Sequence, residues 1–293
     1  MGSPVHLVIN PDEPPWGLVA GFATWFASVA LLLLMSLIFV IPYIFPHLMG
    51  GNQEALRDLL LTDKTAILLQ ILSTIPAHLL TLGVVWAVVT HFGKLPFWPT
   101  LGWSRSKHFG FWQSAGLALL MLGTGMLITK TLGGQETQLD KIISSSAAAR
   151  YSTAFLATFT APLVEEMVYR GVLYSALRRF LVRLNTAAGV AGAARVGTIS
   201  AVFGVLLLFT LVHVPQYWPN YGVIIVIFIL SLTLTLVRAY TGRLLPCFII
   251  HLVFNGASSL LIVLEPYIEK MNPGGEQKAA FIMTLARAVG FFV

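Results

Sequence analysis

Long apolar runs alternate with short, turn-rich links along most of this chain. A helix that crosses the hydrocarbon of a bilayer needs about 20 mostly apolar residues. Eight stretches approach that length: 17–45, 65–90, 110–132, 151–177, 197–213, 221–240, 244–264 and 278–293. The last is short and fits either a crossing or an interfacial helix. The links carry Pro, Gly and aromatic residues, as in VPQYWPNYG. Trp98, Trp103, Tyr217, Trp218 and Tyr221 gather at the edges of the runs, where an aromatic belt belongs. Neither an internal repeat nor a low-complexity tail interrupts the pattern. The expected fold is all-α, a polytopic membrane bundle of about eight transmembrane helices forming one domain over residues 1–293.

Composition agrees. Hydrophobic residues make up 57% of the chain and charged ones 10%, with a mean hydropathy of +0.82. A soluble domain carries about 25% charged residues, so that class is excluded. The net charge of +6 lies largely in clusters between apolar runs, such as Arg178, Arg179 and Arg183, where the positive-inside rule expects it, and it does not call for nucleic acid. If all eight runs cross, nine basic residues from Lys94 to Arg243 fall on one side and seven from Arg57 to Lys278 on the other, which favours both termini inside. Residues 1–16 hold no Lys or Arg, and the run that follows is about twice the length of a signal h-region, so it reads as a retained first span. A single cysteine, Cys247, rules out an intrachain disulfide and a cysteine metal cluster.

Against this apolar background the stretch FTAPLVEEMVYRGVLYSAL, residues 159–177, stands out. Ten of the twelve acidic residues fall in links or at span edges; Glu165 and Glu166 alone fall well within a run. A charge at the bilayer centre costs about 2.5–3.5 kcal/mol on insertion scales, so an intramembrane acid reads as functional by default. Glu166 and Arg170 are four residues apart, share a helix face and suit an ion pair. At about 100° per residue, Glu165 points roughly 140° away from Arg170. One carboxylate is thereby paired and the other is left for a different task, such as a general base. On these residues alone, a charge network that merely locks helices together fits equally well.

The histidines add to the picture. His6, His47, His91 and His108 sit in or beside links, and His78 follows Pro76 within a run as a satisfied polar spot near a kink. His213 shares a face with Phe209, and His251 with Asn255, each at a spacing of four. With Glu165 these supply a base, an imidazole partner and two hydrogen-bond donors for an oxyanion.

The ordered motifs EExxxR (Glu165, Glu166, Arg170), FxxxH (Phe209, His213) and HxxxN (His251, Asn255) resemble the CPBP family of CAAX prenyl endopeptidases and bacteriocin-processing or Abi-type proteins. The similarity covers about residues 150–260, and Leu101-Gly102-Trp103 is similar to a family loop. The resemblance implies a helical bundle with a water-filled intramembrane cavity. It implies that Glu165 activates water with help from His213, that His251 and Asn255 polarise the scissile carbonyl, and that Glu166, Arg170 and Phe209 support them. It further implies an endopeptidase acting on a membrane-associated polypeptide, lipidated or not, in a bacterial or archaeal cytoplasmic membrane. Two cofactor readings stay open: a metal-free glutamate peptidase, which is preferred because no HExxH is present, and a zinc site formed by Glu165, His213 and His251.

Other intramembrane chemistries fit less well. NGASS at 255–259 has no later histidine to serve Ser258, and none of the four aspartates lies in a span. Cys247 stands four residues before His251 but reads as packing. A non-catalytic scaffold or immunity protein, or a proton-coupled transporter, is the alternative use of the same charges. The matching broken helices of transporter halves are not found. The motifs leave the substrate open among prenylated C-terminal motifs, leaders and C-terminal anchors.

Overall fold

The computed structural model describes residues 10–107, 109–133 and 135–271, the side chains of Glu269 and Met271 apart. His6, His108 and the eighth candidate run, 278–293, lie outside the described residues. The described chain is helical throughout, with no strand among the described residues: α1 (Leu18–Met49), α2 (Gln53–Thr62), α3 (Lys64–Thr90), α4 (Phe97–Leu101), α5 (Phe111–Leu132), α6 (Gln138–Ser145), α7 (Ala147–Phe155), α8 (Ala161–Glu165), α9 (Tyr174–Ala187), α10 (Ala193–Tyr217), α11 (Tyr221–Thr241) and α12 (Leu245–Met271). Six of these, α1, α3, α5, α10, α11 and α12, are long and apolar enough to cross a membrane, and the chain is a multi-pass integral membrane protein.

The fourth predicted run is where pattern and structure part. It is not one long α-helix: π-helical turns at Leu156–Thr160 and Glu166–Leu173 interrupt the path from α7 through α8 to α9. Pro162 gives a physical reason for the first. It has no N–H and crowds the carbonyl one turn back, so the ladder widens just upstream. Ala161 then donates to Leu156 O, five residues back. With no N–H at Pro162, the carbonyl of Ala157 turns outward and accepts from Asn255 Nδ2 on α12 at 2.9 Å. The second π stretch is held from outside as well, by Trp16 Nε1 donating to Val172 O at 3.0 Å.

Lipid tails are as apolar as leucine, so close packing and polar links, more than the hydrophobic effect, hold such helices together. Small residues permit the close approach. A Cβ on Gly21 of α1 would stand 2.8 Å from the Ala176 Cβ, and one on Gly197 of α10 would stand 2.6 Å from the Val182 nitrogen. Interhelical hydrogen bonds run His78 to Thr160 at 3.0 Å, Trp25 to Tyr169 at 3.1 Å and Thr158 to Ser259 at 2.8 Å. Each is worth about 0.6 kcal/mol on average in a membrane bundle. Ahead of α1, residues 10–16 are bound across one end of the bundle: Arg238, fully buried, donates to Asp12 Oδ1 at 2.8 Å and to Pro11 O at 3.2 Å. Arg179 donates to Pro14 O, and Trp16 is buried against the motif helix.

Candidate active site

Four elements bring the motif residues together. Glu165 ends α8, and Glu166, Tyr169 and Arg170 lie in the second π stretch. Phe209 and His213 come from α10, and His251 and Asn255 from α12. Glu166 and Arg170 are both fully buried and pair at 3.1 Å, as their spacing of four predicts. Arg170 also donates to Thr235 Oγ1 at 3.3 Å and to Ser231 Oγ at 3.0 Å on α11, and its guanidinium lies 4.4 Å from the centre of the Phe209 ring. Every strong donor of this cation is therefore committed to structure. Glu165 makes no ion pair with Arg170. It turns to the other side of the helix, toward the two imidazoles, as the wheel argument requires.

The distances define the centre. Glu165 Oε1 stands 4.0 Å from His213 Nε2, and Glu165 Oε2 stands 3.9 Å from His251 Nε2. The other nitrogen of each ring is fixed by an acceptor. His213 Nδ1 lies 2.6 Å from Phe209 O, and His251 Nδ1 lies 2.8 Å from Glu166 Oε1. A carbonyl and an arginine-paired carboxylate can only accept, so both Nδ1 atoms carry the hydrogen. In the neutral rings each Nε2 is then an acceptor aimed at Glu165. Phe209 stacks on His213 with ring centres 4.5 Å apart, which holds the imidazole plane. Asn255 is one turn beyond His251, with one amide hydrogen given to Ala157 O.

Glu165 and His213 open onto a cavity of about 380 Å³ between α1, α3 and the motif helices. Its far wall is polar. His78, Gln70, Ser73, Thr74 and Thr81 of α3 line it, with Ser28 of α1. His251 and Asn255 are buried and are not part of the lining. Sequence reasoning treated His78 as a satisfied polar spot, and it is hydrogen-bonded to Thr160, yet it also faces the cavity that Glu165 faces. Tyr169 was missed altogether, although it lines the same cavity and sits inside EExxxR. The available signal was a polar stripe at spacing three to four, from Gln70 through Thr74 and His78 to Thr81, in a run otherwise apolar.

A zinc ion held by Glu165, His213 and His251 needs donor atoms about 3.4 Å apart, the edge of a tetrahedron with bonds of about 2.0–2.1 Å. The carboxylate-to-imidazole separations are longer, and among the described residues no group of three or more His, Cys, Asp or Glu side chains is close enough to hold a metal. The arrangement as it stands does not close on zinc. Cys247 is fully buried and donates to Leu234 O at 3.3 Å, away from the carboxylate.

No curated protein and no solved structure matches the chain. Residues 148–257, which contain all three motifs and every residue of the Glu165 centre, match the family model described as type II CAAX prenyl endopeptidase Rce1-like, in agreement with the CPBP resemblance that those motifs carry.

Proposed function

We propose that this chain is an intramembrane endopeptidase that hydrolyses a peptide bond near the end of a membrane-associated polypeptide, of the CAAX type named in the description of the matching family. The observation that carries the reading is the convergence of Glu165, His213 and His251 beside one cavity, with gaps of 4.0 and 3.9 Å. Those gaps are too long for direct hydrogen bonds and suit one bridging water. Water can donate one hydrogen to Glu165 and the other to an imidazole nitrogen, and it brings the oxygen that hydrolysis needs.

In the reaction, Glu165 takes a proton from this water as the oxygen bonds to the scissile carbonyl carbon and the carbonyl π electrons move onto oxygen. The tetrahedral intermediate collapses, the C–N bond breaks, and the leaving amine receives the proton from Glu165. His213 accepts the water's other hydrogen. Asn255 offers its second amide hydrogen to the carbonyl oxygen, and Glu166, Arg170 and Phe209 keep the two imidazoles in place. No step is routed through a metal.

The test uses the full chain in lipid nanodiscs with a farnesylated CAAX peptide that reports cleavage by fluorescence. Glu165→Gln keeps the shape and removes the base. Cleavage falls by about 10²–10⁴-fold, the usual worth of a positioned general base, while the melting temperature stays at the wild-type value. Cleavage by Glu165→Gln at the wild-type rate overturns the assignment. No cleavage by either protein points to the scaffold or transporter reading.

A further inference from the structure

The centre around Glu165 is rich in acceptors and poor in donors. Glu165, His213 Nε2 and His251 Nε2 all accept in the neutral rings. Arg170 is committed to Glu166, Ser231 and Thr235, and Asn255 has given one amide hydrogen to Ala157 O. In the cavity wall the hydroxyls of Ser28, Ser73 and Thr81 are already given to the backbone carbonyls of Trp25, Gln70 and Ala77. Yet the attack proposed above develops negative charge on a carbonyl oxygen, which needs donors placed in advance.

Tyr169 meets that need. Its hydroxyl accepts from Trp25 Nε1 of α1 at 3.1 Å. An indole N–H can only donate, so this contact occupies a lone pair of the phenol and leaves the phenolic hydrogen for another acceptor. Tyr169 lines the same cavity as Glu165 and His213, and its ring is fixed edge-on against Phe209 at 4.9 Å between centres. We propose that Tyr169 donates its phenolic hydrogen to the oxygen of the scissile carbonyl, a catalytic donor on the cavity side, and that Trp25 is the positioning residue that aims it. The proposal rests on the peptidase reading and adds a member to its machinery outside the three family motifs' fixed positions.

Tyr169→Phe keeps the ring, its packing on Phe209 and its place in the wall, and removes only the hydroxyl. With the farnesylated peptide, kcat falls at least tenfold and up to about 10³-fold, the range for loss of one oxyanion donor, while KM changes by less than about twofold and the melting temperature holds. Trp25→Phe lowers kcat by a smaller factor. The double variant is no slower than Tyr169→Phe alone, because the indole acts through the phenol. Wild-type kcat in Tyr169→Phe overturns the proposal while leaving the Glu165 assignment intact, provided Glu165→Gln is inactive in the same assay. Independent, multiplying losses in the double variant overturn the role of Trp25. Equal cleavage by wild type and Glu165→Gln removes both the peptidase reading and this donor.

Discussion

Replacing Arg170 with methionine exposes how far the buried charge pair supports the site. Methionine keeps much of the length of arginine but strips Glu166 of its cation in a fully buried position. Breaking a buried pair from one side costs about 3–5 kcal/mol, because the remaining charge is uncompensated. At roughly 2–4 °C per kcal/mol for a chain of a few hundred residues, the melting temperature falls by about 6–20 °C. Adding Glu166→Gln removes that charge and keeps an acceptor for His251 Nδ1–H, so the double variant recovers about half of the loss. Cys247 makes the assay simple: it is the chain's single cysteine and fully buried, so a thiol-reactive fluorophore reports unfolding in detergent without an added label. A double variant that loses the sum of the two single losses refutes the reasoning. So does an Arg170→Met protein that melts with the wild type.

Three further outcomes follow from the same structure. At the start of α3, Asp63 accepts from the Ala66 and Thr65 N–H groups at 2.9 Å each, and chiefly the Ala66 bond holds its carboxyl below the ordinary value of 3.8. A lowered folded value means that the charged cap stabilises above the unfolded value and that this contribution is lost as pH falls through the folded one. Asp63→Ala therefore loses about 1 kcal/mol at neutral pH, and the gap to wild type closes as pH drops below 3.8; a gap constant with pH contradicts the capping role. Gly197→Ala places a methyl 2.6 Å from the Val182 nitrogen, an immovable backbone atom, and loses about 1–3 kcal/mol in the same melting assay. Treatment with EDTA or 1,10-phenanthroline leaves cleavage within about twofold of the untreated rate; a loss restored by added zinc makes Glu165, His213 and His251 metal ligands instead.

The sequence carried a large part of this architecture. Length and hydropathy located the runs that became α1, α3, α5, α10, α11 and α12, since membrane-spanning helices satisfy their own backbone and leave a local signal. A rotation of about 100° per residue separated Glu165 from the Glu166–Arg170 pair, and that separation survives in the structure even though the segment is π-helical. What stayed hidden is long-range. Asn255 meets Ala157 across 98 residues, Trp25 meets Tyr169 across 144, and Arg238 meets Asp12 across 226. Periodicity within one helix holds no record of such contacts. The break at Pro162 went unread in a run that reads as one span, and its effect on the ladder becomes interpretable with Asn255 beside the released carbonyl.

The central claim is that Glu165 activates a water molecule and does not itself attack the peptide. A single turnover in ¹⁸O-labelled water, with enzyme in excess over the farnesylated peptide, tests it directly. One ¹⁸O is expected in the new C-terminal carboxylate of the product and none in the peptide fragment carrying Glu165. Label appearing in the Glu165 carboxylate, with unlabelled oxygen passed to the product, contradicts it.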